Sequence, residues 1–373
     1  MNFSYWEHKT WFSNIDFAVV GSGIVGLSCA LSLRKKYPNS KIVVFEKGIL
    51  PSGASTKNAG FACFGSVSEL LNDLDSQSEE EVNELVKNRV EGLQLLRQTL
   101  GDATIGYEAH GGYEIFTETD TQLYEECLSQ VPYMNRLLKS VFLVEKDVFS
   151  IENDPFSFKK VKKSLIFNHF EGQIDTGSMM RALIQKCSKN DISIINSAQI
   201  TAFSSKNDQV SFVLNDLYEI SASKLLIATN GFARQLLNED VQPARAQVLI
   251  THPIANLKIK GTFHLDRGYY YFRNIDNRIL FGGGRNLDFK GEETSSVGLT
   301  TLVQNSLETI LRTTILPEMT FEIDTRWSGI MGVGAQKQPI VKELTPNVFC
   351  GVRLGGMGVA IGSSIGAQLA ELI

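Results

Sequence analysis

The chain has 373 residues, 43% of them hydrophobic, with 36 Lys plus Arg against 41 Asp plus Glu and a net charge of -5. That is enough apolar material for more than one domain core, and the absence of a basic stretch excludes a nucleic-acid backbone as partner. The five cysteines are widely spaced without a C-x-x-C pair, which indicates a reducing compartment, and the five histidines show no metal-ligand spacing, so no metal is expected.

The opening residues MNFSYWEHKTWFSNIDF carry acidic and aromatic side chains where a secretory signal needs a basic start and an unbroken apolar core, so a cytoplasmic location is expected. Phe17–Val20 are apolar, Gly21 to Gly26 form a glycine-rich turn, and helix formers follow from Leu27. This is strand, tight turn, helix. A Pro-Asn-Ser break leads to KIVVFEKG, a second apolar strand ending at Glu46, which completes a β-α-β unit of about thirty residues. In VVGSGIVGL the spacing G-x-G-x-x-G falls on Gly21, Gly23 and Gly26, with Ser22, Ile24 and Val25 between them. The first glycine permits the turn, the second lets backbone approach a pyrophosphate, and the third lets helix pack on strand. Free N–H groups at the helix start favour the phosphates, and Glu46, followed by Lys47, is placed to accept hydrogen bonds from an adenosine ribose. The pattern by itself serves NAD and FAD equally.

Farther on, SEEEVNELVKNRVEGLQLLRQTLG has helical spacing and stops at Gly101; Tyr107 to Phe116 is strand-like, and Asp120 to Lys139 helical. A helix is expected after the Asp175-Thr176 start signal, then the strand ISIINS, a β-meander to about Ile220, and the buried strand of KLLIATNG. Arg245 to Gly284 alternates as antiparallel strands do, with aromatics at Tyr269, Tyr270, Tyr271 and Phe272, as expected of a sheet covering a ligand. The end of the chain is an apolar strand NVFCGV, a glycine turn and a closing helix; the uncharged run Leu354 to Ala370 falls short of the roughly 20 apolar residues of a membrane span.

The loop GASTKNAGF, Gly53 to Phe61, resembles the segment after the ribose-binding acid in the D-amino-acid oxidase superfamily of flavoproteins. The resemblance recurs in EGQIDTGSMMRAL, KLLIATNGFARQLL, PARAQVLITHP, YYYFRNIDNRILFGGGR, RWSGIMGV and VFCGVRLGGMGVAIGSSIGAQLAELI, and is greatest to the glycine/sarcosine and gamma-glutamylputrescine oxidase-like branch. It implies an α/β fold with a Rossmann-like, glutathione-reductase-type FAD/NAD(P)-binding domain and a second α+β antiparallel-sheet substrate domain. The corresponding division is 1–88, 145–234 and 325–373 for the cofactor, and 89–144 and 235–324 for the substrate. It also implies FAD contacts from Ala54, Ser55, Thr56, Asn58, Ala59 and Gly60, from Ile200, and from Ala228, Thr229, Asn230 and Gly231. At the C-terminal turn Arg353, Leu354, Gly355, Gly356, Met357 and Gly358 would meet the flavin pyrimidine, with Arg353 either a cation beside the ring or the partner of a surface acid.

The chain departs from the family at three aligned positions. Where relatives carry an Arg after the Trp of W-x-G-x-R, Trp327 leads to Met331; the lysine of the C-terminal block aligns with Ala360, and that associated with oxygen reactivity with Leu280. Alternative carboxylate donors are Arg273 and Arg285, and Tyr269 and Tyr271 would orient an amine; the competing reading is ordinary packing and ion pairing. Arg326 to Gln338 contains no cysteine for covalent flavin attachment and Cys63 reads as packing, so FAD is expected to be non-covalent. The activity implied is oxidation of the C–N bond of a small amine or amino acid to an imine by hydride transfer to flavin, without a general base. An NAD-linked dehydrogenase and a non-catalytic FAD-binding subunit use the same residues and stand as alternatives.

Overall fold

A computed structural model of the chain describes residues 3–142, 145–206 and 209–373. Two eight-stranded sheets and a small two-stranded one organise them. In the first sheet Ile15–Val20 lies between Ile42–Phe45 and Tyr218–Ile227, parallel to both, and Ser193–Ile195 and Val348–Val352 extend it, again parallel, on either side. Val19 and Val44 face a core shared with the helices Ile24–Lys36, Thr176–Lys189 and Gly358–Glu371. Ala18, Val20, Val43 and Phe45 face the opposite core, formed with the antiparallel strands Ile200–Lys206 and Gln209–Leu214. Strands covered on both faces need apolar residues at every position, which is why Ile42–Phe45 and the stretch from Phe17 to Val20 read as unbroken apolar runs.

The second sheet runs in the order Ile323–Val333, Gln242–Thr251, Arg278–Gly283, Tyr270–Ile275, Thr262–Leu265, Gly112–Glu114, Ser164–Asn168 and Phe149–Asn153. All its pairings are antiparallel except that of Thr262–Leu265 with Gly112–Glu114. Phe263 and Phe272 stack across neighbouring strands at 4.4 Å, and Phe281, Leu307 and Leu311 complete the core beneath the helix Thr301–Ile310.

The long helix Glu79–Leu100 starts at a Ser78–Glu81 capping box and ends at Gly101. The strands Phe149–Asn153 and Ser164–Asn168 fall within the segment the sequence division gives to the cofactor unit, yet they hydrogen-bond into the second sheet, as does Ile323–Val333. The boundary at 144 lies outside the described residues. Among the described residues no helix is long and apolar enough to cross a membrane.

Candidate active site

The first strand ends at Gly21, whose φ of +103° suits glycine alone. A side-chain carbon on Gly26 would lie 1.9 Å from the Gly21 carbonyl oxygen, so strand end and helix approach as closely as two glycines permit. Gly23 caps the helix Ile24–Lys36 without a side-chain bond, and the Ile24 N–H donates to Ser55 Oγ at 3.0 Å. The next loop is therefore stitched directly to the helix start, and the other N–H groups of the first turn stay available to an anion.

Glu46 is 5% exposed, lines the cleft, and is held from within the protein: Oε2 accepts from the Ser22 backbone and hydroxyl, and Oε1 from the Gly48 N–H, the Ser52 N–H and the Ser52 hydroxyl. Burial pushes its pKa up, but the bonds from Gly48, Ser22 and Ser52 outweigh it and hold the group below the usual carboxylate range. It is an anion fixed in place at the strand end.

Asn58 organises the following loop, donating to the Ser55 carbonyl at 2.9 Å and accepting from the Gly60 N–H at 2.8 Å and from Thr176 at 2.9 Å. Asn230 does the same for the C-terminal turn: its Oδ1 accepts the N–H groups of Arg353 at 3.0 Å and Leu354 at 3.1 Å. The Arg353 guanidinium turns to Asp240 Oδ2 at 3.0 Å and the Gln338 carbonyl at 2.8 Å, so of its two expected roles the structure shows the pairing with an acid. The helix Gly358–Glu371 begins without a side-chain cap, and Thr229 Oγ1 is buried without a partner among the described residues. An uncapped helix start and an orphaned hydroxyl on one cleft suit a polar dinucleotide.

These pieces line one cleft of about 630 Å³, within the rough 300–1,000 Å³ range of cofactor and ligand sites. Gly21, Gly23, Ile24, Val25, Glu46 and Lys47 reach it, as do Ala54, Ser55, Asn58 and Ala59, Ile200, the run from Ala228 to Gly231 and that from Arg353 to Gly358. Ser22, Gly26, Thr56 and Gly60 stand behind that wall. Ser22 holds Glu46, and Thr56 bonds the Pro51 carbonyl at 2.7 Å.

Tyr269, Tyr271 and Arg285 line the part of the cleft under the second sheet. Arg285 makes no side-chain hydrogen bond or ion pair among the described residues; its guanidinium lies over the Phe289 ring at 4.9 Å, and burial lowers its pKa. Arg273 is different. It is 2% exposed, it is not among the residues that line the cleft, and Gly60 packs beside its guanidinium. Burial pulls its pKa down to about 10 against the pull of Glu108, Asp175 and Asp276. Of the three aligned departures, Met331 lines the cleft, while Leu280 and Ala360 are buried in apolar packing; none supplies a charge.

Sequence reasoning missed a group that only the fold assembles. His264 bonds Glu171 Oε2 through Nε2 at 3.2 Å and faces Glu69 Oε2 through Nδ1 at 3.8 Å. Burial works against its charge, but Glu171, Glu69 and Glu114 overcome that and raise its pKa to about 9. Glu114, buried and bonded by Ser68, is pushed up to about 7. Cys63, Glu171 and His264 bring donor atoms within 4.8 Å of one another, although their spacing along the chain gives no metal-ligand signal. Glu69 and Asp73, one helical turn apart on Val67–Leu74, also line the cleft.

A glycine turn, a fixed acid and an uncapped C-terminal helix beneath an antiparallel sheet define a Rossmann-like dinucleotide-binding domain with a separate β-rich domain closing its cleft. The chain matches the FAD dependent oxidoreductase (DAO) family over residues 16–372 and belongs to it. A curated relative, "Probable oxidoreductase OrdL" of Haemophilus influenzae, is 19% identical over 414 residues, covering 100% of this chain and 90% of that protein. The fold is shared with glycine oxidase from Geobacillus kaustophilus, at TM-score 0.75 and 19% identity over 96% of this chain and 94% of that one. It is shared too with L-proline dehydrogenase from P. horikoshii, at TM-score 0.74 and 16% identity over 96% and 93%. L-amino acid deaminase from Proteus myxofaciens gives TM-score 0.75 and 13% identity over 96% and 90%.

Proposed function

We propose that the chain binds FAD non-covalently and oxidises the C–N bond of a small amine or amino acid to an imine. The carrying observation is the continuity of one cleft, from the glycine turn and Glu46 to a wall of Tyr269, Tyr271 and Arg285, the last without an ion pair among the described residues. Bound FAD would supply the two-electron acceptor for that oxidation. Gly23, Ile24 and Ser55 would hold its diphosphate, Glu46 its ribose, and the backbone from Leu354 to Gly358 its ring. Arg285 would hold a substrate carboxylate through paired hydrogen bonds, and the tyrosines would orient the amine beside it. The names of the structural relatives, an amino-acid oxidase, a dehydrogenase and a deaminase, support this substrate class.

The five cysteines are free and buried, which supports a reducing compartment such as the cytoplasm. The experiment is anaerobic: purified protein loaded with FAD is mixed with a panel of amines and amino acids, and bleaching of the flavin is followed, then air is admitted. Protein that stays colourless after FAD is added refutes the reading; coloured protein that no amine bleaches favours the non-catalytic alternative.

A further inference from the structure

The helix Val67–Leu74 and the turn after it place three residues with side-chain acceptors on the cleft wall at successive turns, Glu69, Asp73 and Gln77, the last tied to the helix through its N–H to the Asp73 carbonyl at 3.0 Å. Each is only half used. Glu69 Oε2 takes the Ser66 N–H at 3.0 Å and faces His264, while Oε1 accepts no hydrogen bond among the described residues. Asp73 is 2% exposed; its Oδ1 pairs with the Lys337 ammonium, and its Oδ2 has no partner among the described residues. Gln77 Oε1 is likewise buried without one among the described residues. Unmet acceptors of this kind are costly unless a donor arrives.

The donor already beside Asp73 shows which chemistry satisfies it. Lys337 is itself a cleft residue with 42% of its side chain exposed, so its ammonium can swing out and leave the place to another. An ammonium presents three N–H donors and a positive charge, which matches two carboxylates and an amide oxygen; a neutral alkyl end matches none of them.

The geometry points to a substrate that carries a second cationic group, an ammonium or guanidinium remote from the oxidised amine, bound by Glu69, Asp73 and Gln77 in place of Lys337. This rests on the amine-oxidising reading above and narrows it to diamines and basic amino acids. The acceptor wall sets which tail is taken, and takes no part in the bond that is broken.

The test uses full-length protein loaded with FAD and titrated anaerobically with two matched pairs: putrescine against pentylamine, and lysine against its analogue with a terminal methyl in place of the ammonium. Binding is read from perturbation of the flavin absorbance, turnover from bleaching. The cationic member of at least one pair should bind about tenfold tighter, the scale of charge-assisted hydrogen bonds. Asp73→Asn should erase that preference, and Lys337→Met, which removes the competing ammonium, should enlarge it. These opposite signs separate recognition from damage to the fold, and where Asp73→Asn fails to hold FAD the Lys337→Met arm decides alone. Equal binding within both pairs, or a preference that ignores the variants, overturns the inference, while bleaching by the methyl-ended amines leaves the oxidase reading standing. Tight cationic binding without bleaching has the reverse meaning, and silence from every amine overturns both.

Discussion

Ser22 donates both its backbone N–H and its hydroxyl to a single oxygen of Glu46, at 3.1 and 2.8 Å, so the residue inside the glycine turn holds the acid at the end of the next strand. Turn and acid are thereby one rigid unit before any ligand arrives. Glu46→Gln replaces an acceptor oxygen by an amide NH2, a donor that faces donors. It should weaken FAD binding by about tenfold to a hundredfold, in line with the loss of hydrogen bonds to a charged group. Flavin retained after gel filtration is the measurement, and full retention contradicts the assigned role.

Gly26 is the tightest point of the strand-helix contact. Gly26→Ala places a carbon 1.9 Å from the Gly21 oxygen and must displace the turn. The expected cost is about 3 kcal/mol, the upper part of the overpacking range. Thermal unfolding should show it as a lowered midpoint, together with weaker FAD binding; an unchanged midpoint would mean that the helix moves freely.

Arg285 lines the cleft and makes no side-chain hydrogen bond or ion pair among the described residues. Arg285→Met should raise KM for amino-acid substrates about a hundredfold, the worth of a two-point ion pair at roughly 3 kcal/mol, and leave the flavin spectrum intact. Amines without a carboxylate should be unaffected. Arg285→Lys should recover part of the loss as a single-point charge.

The buried ionic group gives a pH dependence of definite sign. His264 has a pKa raised from 6.5 to about 9, so its stabilisation is complete below 6.5 and is lost as pH rises through about 9. Glu114, raised from 4.5 to about 7, keeps its proton when folded while the unfolded chain loses it, so stability falls between those values as pH rises. The melting temperature should therefore decline across both windows, with Glu114→Gln flattening the lower and His264→Gln the upper. A melting temperature that rises from pH 7 to 9 contradicts the assignment.

Cys63 lies in the cleft beside Met357, with its thiol 3.4 Å from the Met357 sulfur. Burial and the nearby Glu171 and Glu69 carboxylates push its pKa well up, which keeps it a thiol and poorly nucleophilic. Acid precipitation of the holoprotein should accordingly leave all the FAD in the supernatant, and flavin in the pellet would show a covalent link.

What the residue order determined by itself was local. Strand, glycine turn, helix and second strand follow from apolar periodicity and from glycines at fixed spacing, because one β-α-β unit is built from contacts between near neighbours. The capped helix at Ser78 and the Asp175 start signal were legible for the same reason. The membership of Phe149–Asn153 in the second sheet was not, since strand pairing depends on partners far along the chain and a short strand carries no mark of them. The same limit separates Arg273 from Arg285. Both flank the aromatic strands in sequence, and only the fold buries one beside Gly60 and leaves the other on the cleft wall. His264, Glu69 and Glu114 come from two strands and a helix and Glu171 from a connection between strands, and their mutual field exists only once folding has excluded water from among them. Spacing encodes what adjacent turns of chain do to each other, whereas burial and charge depend on what the rest of the molecule brings alongside.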